Sequence, residues 1–145
     1  MAASVTGAGG PLSVIVFSGD YDRVHYALCL ASAAAATGRR ATLFFTMGAC
    51  RALASERGWQ RLNPAGNGQS AAARDAAHGA AGLATFDELM DACVGLDVCF
   101  MVCEMGLKAE GMTAADLSPA VTVTPGGIVS FLAAASGDGS TTLFV

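Results

Sequence analysis

The stretch Asp97–Met112 reads DVCFMVCEMGLKAEGM. Its first half, up to Cys103, is a short unbroken apolar run, the pattern of a strand covered on both faces. Its second half loses that pattern and predicts a loop that opens a new helical turn. A strand passing at once into a helix is the repeating unit of a parallel α/β sheet. The change falls on Cys103, so the spacing predicts a thiol at the carboxyl end of a strand, where open α/β sheets keep their chemistry. Unpaired backbone N–H groups and the positive end of a helix dipole favour a thiolate there.

The same alternation extends outward. LSVIVFS at residues 12–18 and ATLFFT at 41–46 predict two further buried strands. Between them, residues 23–37 (RVHYALCLASAAAAT) predict a helix apolar nearly all round, with Asp22 as its N-cap and Gly38 as its stop. Met47-Gly48 turns the second strand into an expected helix at about 49–57. Thr85-Phe86-Asp87-Glu88 is a capping box, and Phe86, Leu89, Met90 and Cys93 fall on one helical face. Downstream of Met112, Thr113–Asp116 predicts a second cap and residues 121–124 a short strand. A helix over 128–135 follows, with Ile128, Phe131, Leu132 and Ala135 inward, and then a last strand over 141–145. Five strands alternating with helices predict a three-layer α/β/α fold around a mostly parallel sheet. Strand order does not follow from the alternation.

Two stretches fall outside the pattern. Residues 1–10, MAASVTGAGG, have neither a basic residue nor a hydrophobic core, so they predict a disordered tail and no signal peptide. Residues 11–145 predict a single domain, interrupted at 59–82 (WQRLNPAGNGQSAAARDAAHGAAG) by glycines and small residues without periodicity. That excursion predicts a flexible segment.

Composition narrows the function classes. Of 145 residues 53 % are hydrophobic and 14 % charged, where soluble proteins average about 25 %. That imbalance predicts apolar surface buried between copies in a homo-oligomer. The net charge is −4 with scattered basic residues, which argues against nucleic acid. No apolar run reaches the ~18–20 residues of a membrane span. The odd count of five cysteines, irregularly spaced, predicts reduced thiols in a cytoplasm. CxxC and HxxxH spacings are absent, so no metal is expected.

The ordered pieces VIVFSGDYDRVHYALCLASAAAATG, TLFFTMGACRAL, TFDELMDAC, VCFMVCEMGLKAEGM and GGIVSFLAAASGDGSTTLFV resemble the DsrE/DsrF-like (DsrEFH) sulfur-relay family. The likeness is to its soluble members, often labelled predicted peroxiredoxins, and it spans most of the chain outside the leader and 59–82. It implies a flavodoxin-like three-layer architecture, self-association, and a cysteine that carries sulfane sulfur as a persulfide. The family's reactive cysteine stands in a Cys-x-Met context, which Cys103-Glu104-Met105 matches. Gly106 and Glu110 depart from the pattern, which there has a small polar residue and a methionine.

Each candidate carries a functional and a structural reading. Cys103 is either a nucleophile toward a sulfane sulfur or a small core hydrophobe, and the negative charge of Glu104 beside it opposes a thiolate. Cys50, starting the helix after the second strand, is either a second thiol or a half-buried packing residue. Cys99, on the same side of the strand as Cys103 and about 13 Å away at ~3.3 Å per residue, reads as core filler. Cys29 and Cys93 lie on apolar helix faces. Ser18, Gly19 and Asp20, ending the first strand, and His25 and Met105 are expected to line a pocket around Cys103, each with an ordinary turn or surface reading beside it. Three functions remain open: a sulfur carrier without cofactor that exchanges with donor and acceptor proteins or small sulfane-sulfur compounds, a non-catalytic binding or assembly module, and a thiol peroxidase.

Overall fold

The computed structural model describes residues 9–145. The expected tail therefore lies outside the described residues, apart from Gly9 and Gly10. Five strands, β1 (Leu12–Val16), β2 (Ala41–Phe45), β3 (Cys99–Cys103), β4 (Val123–Gly126) and β5 (Thr141–Phe144), form one sheet in the order β4-β3-β2-β1-β5. Every pairing is parallel. The layers are those of a flavodoxin-like architecture, but the strand order differs from 2-1-3-4-5.

This order dictates which helix covers which face. From β1 to β4 each connection steps the same way across the sheet, and right-handed crossovers put their helices on one side. These are α1 (Tyr21–Ala36), α2 (Ala71–Ala80), α3 (Phe86–Gly95) and the short α4 (Glu104–Ala109). The connection from β4 to β5 runs back over the whole sheet, so among the described elements α5 (Ile128–Ala135) lies alone on the other side. Strand alternation sorts the side chains accordingly. Val14, Val16, Leu43, Phe45, Phe100 and Val102 face α1 and α3 in the main core. Ile15, Phe44, Met101 and Cys103 face α5, which reaches them through Phe131 and Ala135.

Several boundaries differ from expectation. α1 begins at Tyr21 with Asp20 in the N-cap position and no side-chain cap, so Asp22 lies in the first turn instead of capping it. There its carboxylate accepts a hydrogen bond from the Gly66 backbone N–H at 2.8 Å. The helix expected at 49–57 is a 3₁₀ helix, Met47–Leu53, which packs on α4. β4 starts two residues late and contains Pro125, which the sheet tolerates because the strand lies at an edge. Of the inner stripe expected on α5, Phe131 and Ala135 are buried while Ile128 and Leu132 stay exposed.

The largest correction concerns 59–82. Where composition predicts a structureless excursion, the chain forms a 3₁₀ turn (Gly58–Arg61) and then α2. Trp59, Leu62, Ala65 and Ala71 enter the main core. Ser70 caps α2 by accepting from the Ala73 N–H at 3.2 Å. The segment is held by a few large contacts instead of a periodic apolar stripe, and periodicity is what the sequence reading used.

Candidate functional site

Cys103 is the last residue of β3 and the N-cap of α4, with extended backbone (φ −80°, ψ 121°). This is the predicted strand-to-helix break. The side chain, however, follows the parity of Cys99 and Met101 and turns to the α5 face of the sheet. There it lies 3 % exposed among Phe44, Met101, Phe131 and Ala135. The sulfur is therefore walled by hydrocarbon, with Phe131 stacked on Phe44 above it at a 4.8 Å ring separation.

The carboxyl edge of the sheet is closed over rather than open. β1 and β2 both send their connections to the same face, so the loops that follow them meet. A Cβ placed on Gly48 would lie 2.9 Å from the Gly19 Cα, a contact that only two glycines permit. Arg51 spans the junction. It donates to the Gly48 carbonyl at 3.2 Å, the Arg61 carbonyl at 2.7 Å and Asn63 Oδ1 at 3.3 Å, and it pairs with Glu110 at 3.1 Å. Asn63 in turn donates through Nδ2 to Asp20 Oδ1 at 3.0 Å and through its backbone N–H to the Gly19 carbonyl at 2.8 Å. The predicted pocket residues Gly19 and Asp20 thus meet Arg51 and a residue of the 59–82 segment. Ser18 takes its place in the turn by accepting from the Asp20 N–H at 3.1 Å. These polar contacts all run between protein groups.

Gly106 and Glu110 each have a physical role at this edge. A Cβ at Gly106 would stand 2.5 Å from the Met47 backbone nitrogen, so α4 can seat against the β2 elbow only with glycine there. Met47 itself holds a left-handed φ of 47°. Glu110 supplies the counter-charge to Arg51.

Of the remaining candidates Cys50 neighbours Cys103, and the others scatter. Cys50 is completely buried in the main core, and burial, followed by the neighbouring Cys103 and Glu110, pushes its thiol up to about 12. Cys93 is likewise buried and pushed up to about 12, and burial raises Cys29 as well. Cys99, expected as core filler, is exposed at the amino end of β3. Met105 is 60 % exposed. His25 does not reach Cys103: it is buried beside α3, donating through Nε2 to the Ala84 carbonyl at 2.9 Å and stacking on His78 at 4.8 Å.

That stacking belongs to a buried network the sequence reading missed. Asp75, from α2, accepts a hydrogen bond from the Tyr21 hydroxyl and another, at 2.7 Å, from the Phe86 N–H that opens α3. Burial, and then the bond to Asp75, hold the Tyr21 phenol above its ordinary range, so it stays a donor. A lone aspartate in an alanine-rich helix was the available signal. A cleft of about 630 Å³, also unforeseen, lies between α4 and β4, lined by Val102, Leu107, Met112, Leu117 and Val123. It takes in Val102 and Glu104, which flank Cys103 in sequence, but not Cys103, which faces the opposite way.

Among the described residues no group of three or more His, Cys, Asp or Glu side chains is placed to hold a metal ion. Nor is any helix there long and apolar enough to cross a membrane. No family model matches the chain, and no curated protein matches it.

Proposed function

We propose that the chain is a cytoplasmic sulfur carrier that holds sulfane sulfur as a persulfide on Cys103. The observation that carries this reading is the break of β3 directly into α4 at Cys103, within the Cys103-Glu104-Met105 context that resembles DsrE/DsrF-like proteins. The chemistry balances without an oxidant. The Cys103 thiolate attacks the outer sulfur of a donor persulfide, the donor's S–S bond breaks, and the donor leaves as a thiolate with the electron pair. An acceptor thiolate then takes the outer sulfur and regenerates the Cys103 thiolate. Partners are donor and acceptor proteins or small sulfane-sulfur compounds, together with further copies of this chain.

Exchange requires the sulfur to be uncovered. α5 is the element that covers it, resting on the sheet through Phe131 and Ala135 and starting at Gly127 without a side-chain cap. An outward turn of α5 on partner docking opens the path to Cys103.

One observation favours a second reading. A cysteine 3 % exposed under an aromatic ring is what a non-catalytic binding or assembly module would keep. A thiol peroxidase is the weakest of the three, because its resolving thiol would be Cys50, which is buried and pushed up to about 12.

The deciding experiment is incubation with a small persulfide donor followed by mass spectrometry of the intact chain. One added sulfur atom in the wild type and none in Cys103→Ser is the result expected of a carrier. Loading retained in Cys103→Ser removes Cys103 from the role. No loading in either, with iodoacetamide modifying Cys99 and sparing Cys103, leaves the assembly module. Peroxide oxidation of Cys103 without sulfur uptake would favour the peroxidase.

A further inference from the structure

Among the described residues, the layer over Ile15, Phe44, Met101 and Cys103 is a single eight-residue helix. With its side chains a helix is about 10–12 Å wide, whereas five strands ~4.8 Å apart make a sheet about 20 Å across. What the helix leaves bare is apolar. Phe144 pairs in register with Ile15 and so shares its face, and Phe17, two residues beyond Ile15, follows the same parity. Their rings pack 5.4 Å apart. Phe144 is 67 % exposed, and α5 adds Ile128, Leu132 and Val129, the last 79 % exposed.

We propose that this face is buried against the same face of a second copy, giving a two-fold dimer through α5, Phe17 and Phe144. The inference rests on the self-association included in the function above and names the surface that performs it. Charge selects the second copy. In a two-fold contact a surface meets itself, so any concentration of like charge opposes the contact. From residue 117 to 145 the sequence holds one charged side chain, Asp138. A partner recognised by charge would find in that span a lone carboxylate to hold.

The opposite face makes the contrast. Its exposed Tyr26, Val94 and Leu96 sit among Arg23, Asp91 and Asp97. Area agrees with the choice. The five bare residues present roughly 500 Å², more than half of the ~800 Å² that each partner of a stable interface buries. Flanking small residues, Ala133, Ala134 and Thr142 among them, are exposed as well.

The test is the solution mass of the full chain by light scattering after gel filtration, for the wild type and for Val129→Asp/Leu132→Asp. Both positions are exposed, so circular dichroism should stay unchanged. The expected result is a wild-type mass of two chains or an even multiple, and a reduced mass in the variant because four carboxylates then face one another. A wild-type mass of one chain at about 100 µM, where any dimer with Kd below that is populated, overturns both this inference and the self-association beneath it. An oligomer of unchanged mass in the variant keeps self-association and overturns the choice of face. If the variant fails to fold, a photo-reactive residue at position 129 decides: cross-links to α5, Phe17 or Phe144 of another copy are expected, and cross-links to the Tyr26 and Leu96 side overturn the proposal.

Discussion

Gly106 is the residue at which the carboxyl edge is most tightly specified. Its hydrogen points at the Met47 backbone, where a methyl group would come within 2.5 Å. Because backbone and not a flexible side chain blocks the space, Gly106→Ala should destabilise the fold by about 1–3 kcal/mol, as overpacking does. Urea denaturation checks it, and an unchanged midpoint would mean that α4 is free to back away. Glu110 behaves differently. Both it and Arg51 retain partial exposure, so loss of their ion pair matters less than the two backbone carbonyls that Arg51 alone ties together.

The element that behaves least as its composition suggests is α2. Asp75 joins three helices by accepting from Tyr21 on α1 and from Phe86 at the start of α3. Asp75→Ala leaves a buried hydroxyl and a buried N–H unpaired and should cost roughly 2–4 kcal/mol, whereas Asp75→Asn, which keeps an acceptor, should cost less. Thermal unfolding of the two variants measures the difference. The docking of α2 should also respond to pH. Burial first, and then the stacked His25 and the nearby Arg74, hold His78 below its ordinary imidazole value of 6.5, against the opposing pull of Asp75 and Asp22. The folded value is the lower one, so the unfolded chain takes up the proton first. This contribution is present above the unfolded value and is lost as pH falls through and below it. The unfolding midpoint should therefore drop between about pH 7 and pH 5.5, before most carboxylates titrate, and drop less in His78→Gln. Equal slopes in wild type and variant would assign the effect elsewhere.

At the scale of the whole molecule, the one-sided winding makes stability uneven. β1, β2 and β3 are central, with α1 and α3 packed on one face, while α5 holds on through two buried side chains. Native-state hydrogen exchange should find β1–β3 and α1 slowest and α5 among the first to open, at free energies well below global unfolding. Dimerisation through α5 predicts in addition that its protection rises with protein concentration while that of α1 stays constant. Because α5 is also the cover of Cys103, alkylation of that thiol should slow in parallel.

The alternation of apolar runs with capped helical stretches was enough to read a parallel α/β sheet of five strands from the amino-acid sequence. Gly38, with φ 84° after α1, and Thr85, accepting from the Glu88 N–H at 3.3 Å, stand where their chemistry requires. These are local properties, carried by turn geometry, capping and a period of two or 3.6, and a chain expresses them wherever its segments end up. Three things were not local. The strand order placed α5 on the face opposite the other helices. The contacts of Trp59 and Asp75 ordered 59–82 without any periodic stripe. The parity of β3, combined with the helix overhead, decided that Cys103 ends under Phe131 instead of in an open crevice. The sequence determined that a thiol stands at the carboxyl end of a buried strand. Only the tertiary structure decided what covers it, because cover depends on which distant segment packs on that face.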